Sequence, residues 1–227
     1  MQAGSTADPP VRREALEEIC RRYWRPLYAF ARRKGCLPPD AEDATQSFFA
    51  DLLEGNAFAR ADSSRGSLRT FLLTRFQTFL VDAWRRDHAQ KRGGGALHLT
   101  LDFQDAEDRC AAEWQDTASP DVAFEKQWVR ALLEAVLQRV RESYASTGRA
   151  QQFDALRPFL NFDDPGSDYA AAAEALGMTA PAVRQAVHRL RERFSRSLRD
   201  WIAETLTIPT DGAIDEELAA LRNALAN

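Results

Sequence analysis

Two groups of side chains carry the chemistry open to this chain, and neither has the makeup of a catalytic centre. Between Arg184 and Arg199 stand Arg184, Arg189, Arg191, Arg193, Arg196 and Arg199, against Glu192 alone. Guanidinium forks and the amide of the adjoining Gln185 make paired hydrogen bonds to phosphates and to base edges. The second group is acidic at one end and apolar at the other. At about 100° per residue, Glu42, Gln46, Phe49 and Leu53 fall on one helical line, with Asp43 beside it. Such a line suits a basic, partly apolar partner; the alternative is a wide core face that buries both Phe48 and Phe49. Enzyme chemistry finds no support. The three histidines are scattered and no Ser/His/Asp or Cys/His order suggests a nucleophile. Glu42 and Asp43 diverge by about 100° on a helix and so share no site. The chain reads as a binding protein, not an enzyme, with neither metal nor cofactor.

These residues need helices to position them. Pro38-Pro39-Asp40 blocks a preceding helix and offers a capping carboxylate, so the acidic line starts there and Gly55 closes it. Ala41, Thr45, Phe48 and Leu52 form its core side. Upstream, Leu16, Ile19, Cys20, Tyr23, Leu27, Phe30 and Ala31 recur at helical steps from Val11, with Pro26 expected to kink or split the helix and Gly35 to end it. Downstream, the small and polar stretch 56–67 leads into a long helix from about Gly66 to His88. Its Leu68, Leu72, Phe76, Phe79 and Ala83 point inward. The other side carries Thr70, Thr74, Gln77, Thr78 and Arg85 and finishes Trp84-Arg85-Arg86, a surface suited to single-stranded nucleic acid. A solvated face with a favourable charge in its last turn is the alternative.

Lys91-Arg92-Gly93-Gly94-Gly95 breaks the chain as a flexible linker, since no P-loop Lys-Ser/Thr follows. Leu97, Leu99 and Leu101 alternate as in a short extended segment. The acidic run after them (Asp102, Asp105, Glu107, Asp108, Glu113, Asp116 and Asp121 against Arg109) carries no strong folding pattern. Ser119-Pro120-Asp121 starts a helix that Trp128, Leu132, Val136 and Val140 carry to about Tyr144. Gly148 ends it, 151–160 forms a short helix despite Pro158, and Asp163-Asp164-Pro165-Gly166 is a turn. An alanine-rich helix, Asp168 to Leu176, stops at Gly177. Thr179 then caps a helix running from Ala180 past Phe194. Val183, Val187, Leu190 and Phe194 face its core; Gln185, His188 and Arg189 face outward, flanked by Arg184 and Arg191, with Arg196 near the end. Helix, glycine turn and arginine-rich helix is the helix-turn-helix layout. A short amphipathic helix follows Gly212, its acidic start expected to cover that arginine face or to dock a regulator; a passive extension is the alternative.

At 227 residues, 44% hydrophobic and 28% charged, the chain has the composition of an ordinary globular protein of one large or two small domains. Its net charge of −4 shows no global basicity, so any nucleic-acid task is local. Cys20, Cys36 and Cys110 have no paired spacing, which fits a reducing cytoplasm rather than a disulfide scaffold or a zinc site. No apolar run approaches a membrane span, and the N-terminus has no signal-peptide core.

In this order the motifs resemble the bacterial RNA polymerase sigma factors of extracytoplasmic-function type, over about Ala15 to Leu206. Asp40-Ala41-Glu42-Asp43, then Gln46, Phe48-Phe49 and Leu52-Leu53, is similar to the family's polymerase-binding helix. Leu68-Arg69-Thr70-Phe71-Leu72-Leu73 and Val81-Asp82-Ala83-Trp84-Arg85-Arg86 resemble the helix that opens and reads the minus-ten element. Tyr169 to Phe194 resembles the domain that reads the minus-thirty-five element. The resemblance implies an all-α fold of two small helical domains joined by a flexible linker. A disordered 1–10 would precede a region-2-like domain over 11–90. A linker over 91–118, a region-4-like helix-turn-helix domain over 119–206 and an extension over 207–227 would follow. It implies polymerase contacts at Glu42, Asp43, Gln46, Phe49 and Leu53, and minus-ten contacts at Arg69, Thr74, Gln77, Thr78, Arg85 and Arg86. Minus-thirty-five contacts fall at Thr179, Arg184, Gln185, His188, Arg189 and Arg196. Core RNA polymerase, promoter DNA and an anti-sigma or other regulatory protein are the implied partners. Thr78 departs from the family, which has Asn there to hold a flipped base in a pocket shaped by Asp62 to Ser67. The rival reading is a two-domain helix-turn-helix regulator that acts without polymerase.

Overall fold

A computed structural model describes residues 9–54, 67–87, 102–112, 119–161, 168–206 and 208–226. The described residues are helical, with no strand, so the fold is all-α. The helices are α1 (Pro9–Arg33), α2 (Pro38–Glu54), α3 (Leu68–Asp87), α4 (Phe103–Ala112) and α5 (Pro120–Ala145). Then come α6 (Ala150–Leu156) with a 3-10 turn (Arg157–Leu160), α7 (Tyr169–Leu176), α8 (Ala180–Thr205) and α9 (Asp211–Ala226). The chain divides into two compact units, Met1–Leu132 with Ala203–Asn227, and Leu133–Ile202. Among the described residues no helix is long and apolar enough to cross a membrane.

The first unit is built on aromatic packing between α1, α2 and α3. Tyr23, Leu27 and Phe30 of α1, Phe48 and Phe49 of α2, and Leu72 and Phe76 of α3 are all buried. Phe76 is the hub, its ring centroid 5.0 Å from Phe48 and 6.2 Å from Phe30, both edge-on. Each such ring contributes roughly 1.5–3 kcal/mol by leaving water, and the edge-on pairs add about 0.5–1.5 kcal/mol. α1 continues through Pro26 as one helix, so it is not split there, and its flanking Trp24, Leu27 and Tyr28 are buried. Gly35, at φ 94°, then ends the helix. Its N–H donates to the Arg32 carbonyl and that of Cys36 to the Ala31 carbonyl, so two carbonyls of the last turn are satisfied. α2 begins at Pro38, and its first backbone bond runs from the Ala41 N–H to the Leu37 carbonyl. Asp40 is therefore inside the first turn, not the cap, where its charge still favours the helix dipole. Ser67 caps α3, its hydroxyl accepting from the Thr70 N–H at 3.5 Å.

The acidic stretch read as linker contains a folded helix. α4 packs on α1 through Phe103, which lies 5.0 Å from the Trp24 ring and 5.4 Å from that of Tyr28. Residues 88–101, with the glycine run and the alternating leucines, lie outside the described residues, as does the Asp163–Gly166 turn. α9 belongs to the first unit, with Ile214 and Leu221 buried, and not to the unit holding the arginine face.

In the second unit, Val140 and Tyr144 pack against Phe153, Leu156 and Phe159, and against Val183, Ala186, Val187 and Leu190. The Asp168 carboxylate caps α7, accepting from the Ala170 N–H at 2.8 Å. Gly177 ends it in the left-handed region at φ 60°. An L side chain there costs about 1–2 kcal/mol, which glycine avoids. The Met178 N–H returns to the Ala173 carbonyl at 2.9 Å, the Thr179 hydroxyl faces the Ala182 N–H at 3.4 Å, and α8 begins.

Candidate nucleic-acid interface

The start of α8 sorts its residues cleanly between core and solvent. Val183, Ala186, Val187 and Leu190 are buried, whereas Arg184, Gln185, His188 and Arg189 are exposed, as are Thr179 before them and Arg196 further along. The six residues expected to meet duplex DNA thus all reach solvent. The Arg184 guanidinium lies 5.9 Å above the Tyr169 ring, which itself packs 4.5 Å from Phe159. His188 stands 3.6 Å from a Glu192 carboxylate oxygen, an ion pair only when the imidazole is protonated. Arg191 differs from its neighbours. Its Nε and a terminal nitrogen both donate to the Phe159 carbonyl, at 3.1 and 2.8 Å, so it fastens α8 to the 3-10 turn.

α3 presents two different sides. Thr74, Thr78 and Arg85 are exposed, together with Thr70, Arg75 and Val81. The Thr78 hydroxyl donates to the Thr74 carbonyl at 3.1 Å, so its lone pairs still face outward. Two further minus-ten candidates, Gln77 and Arg69, are engaged within the fold. Gln77 donates to Asp121 at 3.0 Å. Arg69, its side chain 11% exposed, is caged: it pairs with Glu125 and with Glu217 of α9 at 3.1 Å, and its guanidinium lies 4.5 Å over the Trp128 ring. Burial pushes the Glu125 carboxyl above its ordinary value, and the Arg69 charge opposes that shift. The side chain of Arg86 lies outside the described residues, as do the loop residues 62–66.

Along α2, Asp43 is exposed, and Glu42 and Gln46 are half-buried, the Gln46 amide donating to Glu42 at 3.3 Å. Phe49, placed on the docking line from its spacing, is fully buried, with its ring 5.6 Å from Phe48. The wide core face therefore prevails for both phenylalanines, and Phe49 supports the line from beneath. The side chain of Leu53 is outside the described residues. Thr45 is buried with its hydroxyl donating to the Ala41 carbonyl at 2.7 Å, which lets a polar residue sit in the core without an unpaired donor.

Sequence reasoning passed over a two-pronged ion pair of the first unit. Arg32, only 7% exposed, donates from Nε to Glu107 Oε2 at 2.8 Å and from a terminal nitrogen to Oε1 at 2.7 Å. The Tyr28 hydroxyl adds a third bond at 2.6 Å. These donors hold the Glu107 carboxyl below its ordinary value, the Arg32 bond contributing most. The only signal for it was an arginine falling on the buried side of α1.

A family model described as ECF sigma factor matches residues 14–200. No curated protein and no solved structure matches the chain.

Proposed function

Because the chain belongs to the ECF sigma factor family, we propose that it works through three separate surfaces. α2 holds core RNA polymerase, the Thr74–Arg85 side of α3 takes the opened minus-ten strand, and the outer face of α8 reads duplex minus-thirty-five DNA. Membership makes it a sigma factor that directs transcription initiation; the three surfaces assign that task to residues. One observation carries the assignment. At the start of α8 every side chain able to read a base edge is exposed while the alternating apolar ones are buried. Arg184, Gln185 and Arg189 supply the forks and amide that pair with base edges in a major groove, in the manner of a helix-turn-helix recognition helix.

For α2 the support is electrostatic. Asp43 lies exposed on the surface beside Glu42 and Gln46, over a rigid aromatic floor of Phe48 and Phe49. A rigid acidic ledge suits a basic helical partner on the polymerase, and a rim of charge sets association rate and register. The work is cytoplasmic, where polymerase and promoter are, and an anti-sigma or other regulatory protein is the expected further partner. Run-off transcription with purified core polymerase on genomic fragments tests the reading, alongside co-purification with core. Duplex binding with no co-purification and no transcript would make the protein a regulator that acts without polymerase.

A further inference from the structure

The second unit holds a cleft of about 220 Å³ between the end of α5, α6 and the side of α8. Four guanidiniums line it, those of Arg149, Arg189, Arg193 and Arg196. None of the four forms an ion pair with a carboxylate among the described residues. Glu192 is the one acid on the wall, and its carboxylate lies toward His188. Two of the guanidiniums are held in place. Arg149 and Arg193 lie 5.5 and 5.2 Å from the centroid of the same ring, that of the buried Tyr144. Each is also fixed by one hydroxyl, Arg149 Nε donating to Thr147 at 3.0 Å and Arg193 to Ser143 at 2.9 Å.

Four like charges around one cleft repel each other, while the Tyr144 ring and the two hydroxyls hold a pair of them beside it. An anion removes the repulsion and meets forks whose rotamer entropy is already reduced. The cleft is small and polar, below the roughly 300–1,000 Å³ of sites that enclose whole organic ligands. It fits phosphate groups with the rest of the molecule outside. Arg189 belongs both to this cleft and to the exposed outer face of α8, so the two surfaces are continuous.

We propose that the Arg149–Arg193 cleft is a phosphate site, gripping the sugar–phosphate backbone of the duplex whose base edges meet Gln185. This deepens the reading of α8 as a DNA-binding helix and rests on it. Arg149 and Arg193 are then backbone-positioning residues, carrying no sequence information of their own. The same chemistry would take a free oligophosphate, so the test separates the two sources.

The full-length protein is titrated with its preferred duplex and with a scrambled duplex, by fluorescence anisotropy at several salt concentrations, and separately with tripolyphosphate by calorimetry. Arg149→Ala with Arg193→Ala should weaken both duplexes by the same factor. The slope of log affinity against log salt should shrink by about 0.9 for each phosphate that is no longer neutralised, near 2 for the pair. The conservative Lys pair, which keeps charge without the fork, should restore most of the slope. Arg149→Ala alone removes an exposed side chain, so it gives a folded variant should loss of Arg193 loosen Tyr144. An unchanged duplex slope, with tripolyphosphate uptake abolished by the alanines, keeps the phosphate site but assigns it to a free ligand. An unchanged slope with no uptake of tripolyphosphate by the wild type overturns the site. Failure of the wild type to bind any duplex overturns the α8 reading instead, and the tripolyphosphate arm then decides the cleft by itself.

Discussion

Replacing Glu107 with Gln keeps the shape of the side chain and removes its charge, which makes it a direct probe of how α4 is held to α1. In the native protein the carboxylate accepts two bonds from Arg32 and one from Tyr28. The amide offers one acceptor oxygen to these three donors and turns an NH₂ toward a guanidinium. Removing one partner of a buried ion pair costs about 3–5 kcal/mol, and a single charge-assisted bond is worth about 1.5–3 kcal/mol. Glu107 is 24% exposed and the amide keeps one bond, so the expected loss is about 2–3 kcal/mol. Hydrogen exchange suits the measurement, because it reads the opening of α4 and α1 separately from the second unit. Amides of Phe103–Ala112 should lose protection by a factor on the order of 30–150, the same energy expressed as a ratio. The pH dependence gives an independent check. Glu107 has a lowered folded value, so its stabilisation is complete above the ordinary glutamate value and is lost as pH falls through the lowered one. The Gln variant should lack this part of the acid limb. A loss below about 0.5 kcal/mol, the range of ordinary surface substitutions, with an unchanged acid limb would refute the clamp.

Three further outcomes are expected. Phe49→Ala should cost about 3–5 kcal/mol of stability as a buried ring, while Asp43→Asn leaves melting nearly unchanged and weakens binding to core polymerase in a pull-down titration; the reverse pattern would remove α2 as the docking ledge. Gln185→Ala should alter the preferred upstream sequence by about 1–3 kcal/mol at one base position, whereas Thr78→Ala or Arg85→Ala spares duplex binding and slows promoter opening, read by permanganate reactivity of unpaired thymines. If both sets change the same step, the division between α3 and α8 is wrong. Truncation after Leu206 removes Glu217 and leaves Arg69 with Glu125, so melting should fall and binding of a single-stranded minus-ten oligonucleotide should rise; no change in either makes the tail passive.

What could be read from the residues in order was local. Periodic apolar positions marked α1, α2, α3, α5 and α8, and the punctuation at Ser119, Asp168 and Gly177 marked ends, because caps and left-handed turns depend on a few neighbouring residues. The exposed set on α8 was legible for the same reason: a clean 3.6-residue stripe assigns the opposite side to solvent. Three features depended on partners far along the chain. α4 looked like a solvated acidic run, since nothing near Glu107 announces that a buried Arg32 awaits it. Arg69 reads by family resemblance as a nucleic-acid contact, and nothing near it in the chain announces the Glu125 and Glu217 carboxylates that it pairs with in the fold. Phe49 looked like part of a second stripe because helical angle alone does not say how wide a core face is when three aromatic helices share it. Arginine is the recurrent source of difficulty. The same guanidinium serves a base edge at Arg184, a backbone carbonyl at Arg191 and an internal ion pair at Arg32, and only the geometry separates them.

The cage around Arg69 also sets an order of assembly during synthesis. Residues 133–202 form one uninterrupted stretch, so the second unit holds all its contacts as soon as it has left the ribosome. The first unit does not. Its α3 emerges early, but Ile214, Glu217 and Leu221 follow only after the whole second unit. At roughly 5–20 residues per second, α3 waits on the order of ten seconds for α9. During that interval Arg69 has at most one of its two carboxylates, and the apolar surface that Ile214 and Leu221 cover is open to water or to a chaperone. The part of the chain made first is thus the part finished last.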